Sequence, residues 1–343
     1  MMTMTESDTT GFMESLHRRA RAALSHWGLS GSALTLLKYR ENAVFRVTLD
    51  TGEPAVLRLH RPGYHDEAAL ASELAWMDTL RAGGLRVPAP VPTQDGRHII
   101  ALAAGDGFGL QHADIVSWIE GSPLGETGVP LPYPAERLAA IFFSLGVSMA
   151  RLHALSDAWS PPATFHRPRW DAEGLVGDAP LWGRFWDCPG LSAADAADLT
   201  TLRQRLRARL AAVPPGTLDS GLIHADLVRE NVIVDEAGDG IAMIDFDDGG
   251  SGFRMFDIAT ALFKNRSEPH YAEIEAGLIG GYRSVRPLSE AALETLPLFM
   301  ALRGVTYVGW IGARLETPDA RARMQRYVCD ALQLGRALDA VMR

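Results

Sequence analysis

The chain has 343 residues, 33 of them basic and 42 acidic, with a net charge of −9 and 47% hydrophobic side chains. This composition supports a globular core and excludes fibrous and disordered chains, and the length corresponds to two domains or to one domain with two lobes. Net acidity argues against non-specific binding to nucleic acid or to an anionic membrane, since both need clustered Lys and Arg.

No basic run followed by an apolar run opens the chain, so no signal peptide is expected. Phe12, Leu16, Ala20, Leu24 and Trp27 recur at helical spacing, with Gly28 as the stop. Three β-type runs follow at 33–38, 43–49 and 55–60, the last two joined by the turn Asp50, Thr51, Gly52, Glu53. A helix over 66–82 places Leu70, Leu74, Met77 and Leu80 on one face and stops at Gly83 and Gly84. Runs at 98–103 and 112–119 complete five strands around one main helix, and their short turn-closed spacing favours an antiparallel sheet. The sequence EGSP at 120–123 breaks the pattern, which divides the chain into a β-rich lobe (1–117), a hinge (118–121) and a helical lobe (122–343).

Beyond the hinge, helices are expected at 135–154, 193–212, 271–282, 290–315 and 318–341, with short β runs at 222–224, 232–235 and 241–244. The apolar stretch 138–150, flanked by Arg137 and Arg151, has 13 residues; crossing a bilayer takes about 20, so no membrane partner is expected. Cys188 and Cys329 form neither a disulfide framework nor a metal-ligand spacing, which fits a reducing cytoplasm, with Cys188 a packed side chain rather than a nucleophile. The expected fold class is α+β, a small antiparallel β lobe followed by a larger, mostly helical lobe. Of the basic residues, only Lys38 and Lys264 are lysines.

The segment richest in chemistry is GLIHADLVRENVIV (221–234) followed by IDFDDG (244–249). A buried strand ends at His224, a polar loop runs from Asp226 to Asn231, and a short hairpin brings Asp245 back beside Asn231. One amide oxygen and one carboxylate are hard ligands that suit Mg²⁺, which keeps waters and phosphate oxygens for its remaining positions. Asp226 is placed to accept a proton from an attacking hydroxyl, the division of labour found in phosphoryl transfer. His224 reads as a scaffold that bonds backbone near Asp245. An isolated H-x-D or D-x-D is common in polar turns; the joint pattern H-x-D-x-x-x-x-N with a strand ending in D-F-D is far more specific.

This segment resembles the catalytic core of the aminoglycoside phosphotransferase and choline kinase superfamily, within the protein-kinase-like fold, and is most similar in motif to type II homoserine kinases. The resemblance implies ATP and Mg²⁺ as cofactors and a two-lobed fold whose first lobe binds nucleotide. It places a phosphate-contacting basic residue at Arg58 in AVLRLH (55–60) and its helix partner at Glu73 in SELAW (72–76). Lys is usual where Arg58 stands; Arg can bridge carboxylate and phosphates bidentately. The phosphate-covering turn corresponds to RENAVF (40–45), which lacks glycine but offers Asn42 and backbone N–H groups. The hinge IVSWIEG (115–121) would receive adenine at Trp118 and Ile119. Asp257 in FDIA (256–259) matches an acid that braces the catalytic loop, His153 reads as structural, and Asp247 replaces the glycine of D-F-G and would assist metal or substrate.

Phe299, Arg303, Tyr307 and Trp310 share a helix face that reads either as core or as a substrate wall, with Arg303 suited to a substrate carboxylate. The expected activity is an ATP-dependent kinase acting on a hydroxyl of a small molecule, an amino alcohol or hydroxy-amino-acid. The alternatives are a Ser/Thr protein kinase of the bacterial stress-response type, weakened by the short stretch between Asp245 and Asp257, and a nucleotide-binding pseudokinase. A metal-dependent hydrolase built on Asp245 and Asp247 would leave Asn231 unexplained. Residues 219–257 carry ten acids against Arg229 and Arg254, so eight of the nine net negative charges lie in this one segment.

Overall fold

Leu16, Ala20, Ala23 and Leu24, all 0% exposed, form the buried stripe of helix α1 (Glu6–Leu24). A 3-10 turn, Ser25–Trp27, extends it, and Gly28 ends it in the left-handed region at φ 76°, open at low cost only to a residue without Cβ. These elements open a computed structural model that describes residues 6–39, 42–235, 240–317 and 319–340. The chain divides into two compact units, Met1–Glu120 with Ser160–His166, and Gly121–Trp159 with Arg167–Arg343.

The first unit is built on a six-stranded sheet. Alternating apolar residues produce β1 (Leu34–Tyr39), β2 (Ala43–Thr48) and β3 (Pro54–Leu59), followed by helix α2 (Glu67–Ala82), β4 (Pro90–Val91), β5 (Ile99–Leu102) and β6 (Gln111–Ser117). The strand path is β1-β2-β3-β6-β4, with β5 also on β6, and every pairing is antiparallel. Inward residues of β2, β3 and β6, among them Phe45, Leu57, Leu59 and Ile115, join Leu16, Ala20 and Leu24 of α1 in one core cluster. Because side chains alternate across a strand, Arg58 points to the opposite face, where it stands in register with Asp114 of β6. On α2, the Asp66 carboxylate caps the first turn by accepting the Ala69 N–H at 2.8 Å. The segment Ser160–His166 docks here, the His166 N–H donating to Ser72 Oγ at 2.8 Å. The two-residue β4, flanked by Pro88 and Pro92, is too short to show in a periodicity. Arg40 and Glu41 of the turn before β2 lie outside the described residues.

The second unit contains β7 (Ser122–Pro123), α3 (Ala135–Ala158), β8 (Arg169–Trp170), α4 (Ala172–Val176), α5 (Ala193–Ala212), β9 (Ser220–Ile223), β10 (Val232–Val234), β11 (Ile241–Met243), β12 (Gly250–Phe253), α6 (Arg254–Phe263), α7 (Tyr271–Arg283), α8 (Glu290–Leu293), α9 (Leu296–Gly312) and α10 (Ala320–Ala340). Two small sheets run β11-β10-β7 and β8-β12-β9. Helices α3 and α7 approach backbone to backbone: a Cβ on Gly281 would stand 1.9 Å from the Phe143 carbonyl oxygen, and one on Gly146 2.1 Å from that of Leu278. The 13-residue apolar stretch is part of the 24-residue α3, long and apolar enough to cross a membrane by length and composition. Here its apolar stripe, Leu138, Ile141, Phe142, Leu145 and Met149, is at most 1% exposed and packs within the unit.

Two expectations are corrected. The helix over 290–315 is two helices, because Ser289 caps α8 and Pro297 falls at the first turn of α9, a position that suits proline only at a helix start. β12 and the length of α6 have no counterpart in the expected elements: β12 is the glycine-rich GSGF, and α6 is a short helix of 10 residues that starts straight after β12 with no side-chain cap to announce it.

Candidate active site

β9 delivers His224, Ala225 and Asp226 into a loop held from below by Asp257, in the first turn of α6. Ala225 sits in the left-handed region at φ 65°, which costs an L-residue about 1–2 kcal/mol. Asp257 offsets this by accepting the N–H groups of His224 at 2.9 Å and Ala225 at 2.7 Å. His153 Nε2–H donates to the same carboxylate at 3.0 Å, and the Tyr282 hydroxyl donates to His153 Nδ1 at 2.9 Å. Burial pushes the His153 imidazole below its usual value, outweighing Asp257, so it is a neutral brace. Burial alone would raise the Asp257 carboxyl; the hydrogen bond from His153 and the neighbouring donors hold it below the usual carboxylate value. His224 is pushed down by burial in the same way, and its Nε2–H donates to the Ile244 carbonyl at 3.1 Å.

Asp226 has both carboxylate oxygens engaged. Asn231 Nδ2 donates to Oδ2 at 3.0 Å and to the Asp226 carbonyl at 2.9 Å. Arg303 Nη2 donates to Oδ1 at 2.5 Å, and Arg303 Nη1 to the Ala225 carbonyl at 3.1 Å. The Asp226 side chain is 24% exposed; that of Arg303 is fully buried. The Ile244 N–H donates to the Asn231 carbonyl at 3.0 Å, so the β10–β11 hairpin sets Asn231 one residue from the rung of Asp245. Asp245 is exposed and left-handed at φ 66°, a region Asp tolerates. The loop after it is shaped by buried Arg167, whose guanidinium donates to the carbonyls of Phe246 at 2.9 Å, Asp247 at 2.6 Å and Gly249 at 2.7 Å. Asp247 is buried, and Trp182 Nε1–H donates to Asp248 Oδ1 at 3.2 Å. With the Asn231 amide nitrogen spent on Asp226, its amide oxygen is left as a hard donor, and an amide oxygen with a carboxylate such as that of Asp245 is the donor chemistry that suits a divalent cation completed by water and phosphate. Among the described residues, no group of three or more His, Cys, Asp or Glu could hold a metal by itself.

In the first unit, Arg58 donates through Nε and Nη2 to both oxygens of Asp114, at 2.7 and 2.8 Å, and through Nη1 to Glu73 at 2.7 Å. His60 Nε2 completes the cluster, 2.7 Å from Asp114 Oδ2. Burial works against the guanidinium, but the two carboxylates outweigh it and push its pKa well above the ordinary value. Burial likewise raises Asp114, and Arg58 and His60 outweigh it, holding the carboxyl well below the usual range. Asp114 and His60 are partners of this cluster that local sequence patterns do not single out; a lone acid in the middle of the apolar run 112–119 is the one signal that points to Asp114. Elsewhere in this unit Asn42 Oδ1 accepts the Arg61 N–H at 3.0 Å, the Arg46 guanidinium lies 5.0 Å over the Trp118 ring, and Ile119 is half-buried.

Of the two readings of the Arg303 face, core or substrate wall, the structure places Arg303 in the core, fully buried and bonded to Asp226. Burial pushes the half-buried Cys188 thiol up to about 11, which removes thiolate chemistry. Glu236 and Asp239 of the acidic segment lie outside the described residues.

These centres define a phosphotransferase. The family model described as "Phosphotransferase enzyme family" matches residues 35–288, a span that contains Arg58, Asp226, Asn231 and Asp245, and the chain belongs to that family. A homoserine kinase of Acidiphilium cryptum is 33% identical over 268 residues, 74% of this chain and 73% of that protein. The solved structure of a microcompartment-associated aminopropanol kinase is similar with a TM-score of 0.80 at 31% identity, covering 95% of this chain and 98% of that one. The amicoumacin kinase hAmiN, solved with AMP-PNP, Ca²⁺ and Ami, shares the fold with a TM-score of 0.74 at 20% identity over 96% of both chains. The fold is thus the α+β, protein-kinase-like one of these kinases.

Proposed function

We propose that this phosphotransferase moves the γ-phosphoryl group of ATP to the hydroxyl of a small amino alcohol, with Mg²⁺ as the divalent cation. The observation that carries the reading is Asp226, a partly exposed carboxylate on a strained loop with both oxygens fixed by Asn231 and Arg303. Asp226 receives the hydrogen bond of the acceptor hydroxyl and takes its proton as the new oxygen–phosphorus bond forms and the bond to ADP breaks. Asn231 Oδ1 and Asp245 would hold Mg²⁺, which when bound would supply charge neutralisation to the phosphates. Arg58, oriented by Asp114 and Glu73, adds positive charge through the N–H groups those bonds do not use. Asn42 and the backbone around it attend the phosphates, and the backbone at Trp118 and Ile119 receives the adenine.

The acceptor class follows from charge. Arg303 is committed to Asp226, so it is not available to a substrate carboxylate, whereas Asp247 and Asp248 add negative charge beside Asp245 that favours a cationic amine. The likeness to an aminopropanol kinase supports an amino alcohol. A second reading, homoserine, draws on the homoserine kinase relative. A mass-spectrometric phosphorylation screen with ATP and Mg²⁺ over aminopropanol, ethanolamine, choline, homoserine, aminoglycosides and a generic protein decides between them. Phosphorylation is expected for aminopropanol or ethanolamine in preference to homoserine; the reverse order selects the second reading, and transfer to protein alone overturns both.

A further inference from the structure

We infer that Arg303 is a positioning residue for phosphoryl transfer, holding the Asp226 carboxylate and its loop in the geometry the acceptor needs without touching the acceptor. This rests on the reading of Asp226 as the group that orients the acceptor hydroxyl. Arg303 lies in the middle of α9, fully buried, 77 residues along the chain from its partner. Its guanidinium carbon is 4.4 Å from the ring centre of Tyr307, 4.9 Å from that of Trp182 and 5.5 Å from that of Phe256. Three rings around one planar cation restrict its rotation and partly replace its lost hydration. The Tyr307 hydroxyl accepts from Nη2 at 2.9 Å, the same nitrogen that donates to Asp226 Oδ1 at 2.5 Å.

The backbone gives a second, independent argument. Ala225 is left-handed, and both of its peptide groups are tied: the N–H to Asp257 at 2.7 Å and the carbonyl to Arg303 Nη1 at 3.1 Å. Arg303 thus grips the residue before Asp226 by its main chain and Asp226 by its side chain, while Asn231 takes the other carboxylate oxygen. A group with no exposure cannot meet a substrate, so its effect passes through Asp226, the member of the pair that reaches solvent. Misplacing a reacting group by about 1 Å costs on the order of 10²-fold in rate.

The test is a double-mutant cycle read in kcat and in both KM values, on the intact protein with the best acceptor from the screen. Arg303→Met is expected to lower kcat roughly 100-fold with KM for ATP and for the acceptor unchanged within a few fold. Arg303→Lys, which keeps the charge but not the fork, should recover part of the loss. The double variant with Asp226→Asn should be no slower than Asp226→Asn alone, since a positioning residue has nothing left to position. Full kcat in Arg303→Met, a loss confined to acceptor KM, or multiplying losses in the double variant would each overturn the inference. Full kcat in Asp226→Asn overturns the underlying reading instead. Should Arg303→Met not fold, as judged by an ATP-dependent rise in melting temperature, Arg303→Lys and Tyr307→Phe carry the same cycle, with the same outcomes deciding it.

Discussion

Each unit of the molecule buries an arginine against carboxylates, and the two arrangements differ in what they leave exposed. Arg58 meets two acids, Asp114 and Glu73, both fully buried, so cation and anions lie together inside the first unit. Arg303 meets one acid, a phenol and a carbonyl, and its single anion is the partly exposed Asp226. Surrounding a buried cation with equally buried anions stabilises a framework, because removing the cation strands charges that water cannot reach. Pairing it with an anion at the surface orients that anion for something arriving from outside. Similar hydrogen bonds at 2.5–2.8 Å therefore lock a cation into the framework of the first unit, the setting from which its two remaining N–H groups are proposed to meet phosphate, and in the second unit fix a carboxylate that reaches solvent.

The chemical side of this contrast has the strongest test. Asp226→Asn should lower turnover by about 10³-fold while the Kd for ATP stays within a few fold; parallel loss of turnover and nucleotide affinity would erase the contrast. Arg58→Met should instead lower folding stability by about 3–5 kcal/mol, measured by urea denaturation, since it leaves Asp114 and Glu73 buried without their cation. If Arg58→Met unfolds at the wild-type midpoint, the framework role of the first centre is lost. Gly281→Ala, which drives a methyl into the Phe143 carbonyl at the α3–α7 contact, should cost about 1–3 kcal/mol in thermal or denaturant unfolding and leave both KM values alone.

A weaker effect, on pH dependence, probes the second unit alone. His153 and His224 brace the Asp226 loop as neutral rings, with folded-state pKa values pushed below the ordinary value by burial. Below about pH 6.5 the unfolded chain binds protons at these positions that the folded chain refuses. Their contribution is therefore fully present above that pH and is lost as the pH falls toward the lower folded values. Asp257, also held below its ordinary value, adds a loss in the same direction at lower pH. Hydrogen-exchange protection factors of residues 222–226, corrected for the pH dependence of intrinsic amide exchange, should fall as the pH is lowered from 7 to 5.5, and His153→Gln should flatten that dependence.

Local features are legible in the sequence where the partners lie close along the chain. Asp226, Asn231 and Asp257 fall within one short segment, and the structure ties them to one loop. α5 matches its expected 193–212 because a side-chain cap announces it: Ser192 Oγ accepts the Asp195 N–H at 3.0 Å. The pairs Arg58–Asp114 and Arg303–Asp226 are separated by 56 and 77 residues and depend on strand order and helix packing, which no local pattern encodes. The break before α9 is readable at Pro297, whereas α6 opens after Phe253 with no side-chain cap to mark its start.

The preference for arginine over lysine has a practical side. With only Lys38 and Lys264 in the chain, side-chain amines are scarce. Lys38 is exposed on the edge strand β1, and Lys264 is half-buried with its ammonium 3.9 Å over the Tyr307 ring and 4.8 Å over that of Tyr327. Amine-reactive dyes, biotin esters or resin linkages will therefore find one ready lysine, on the rim of the first unit's sheet, which confines side-chain labelling to that edge and leaves the α-amino group as the competing site.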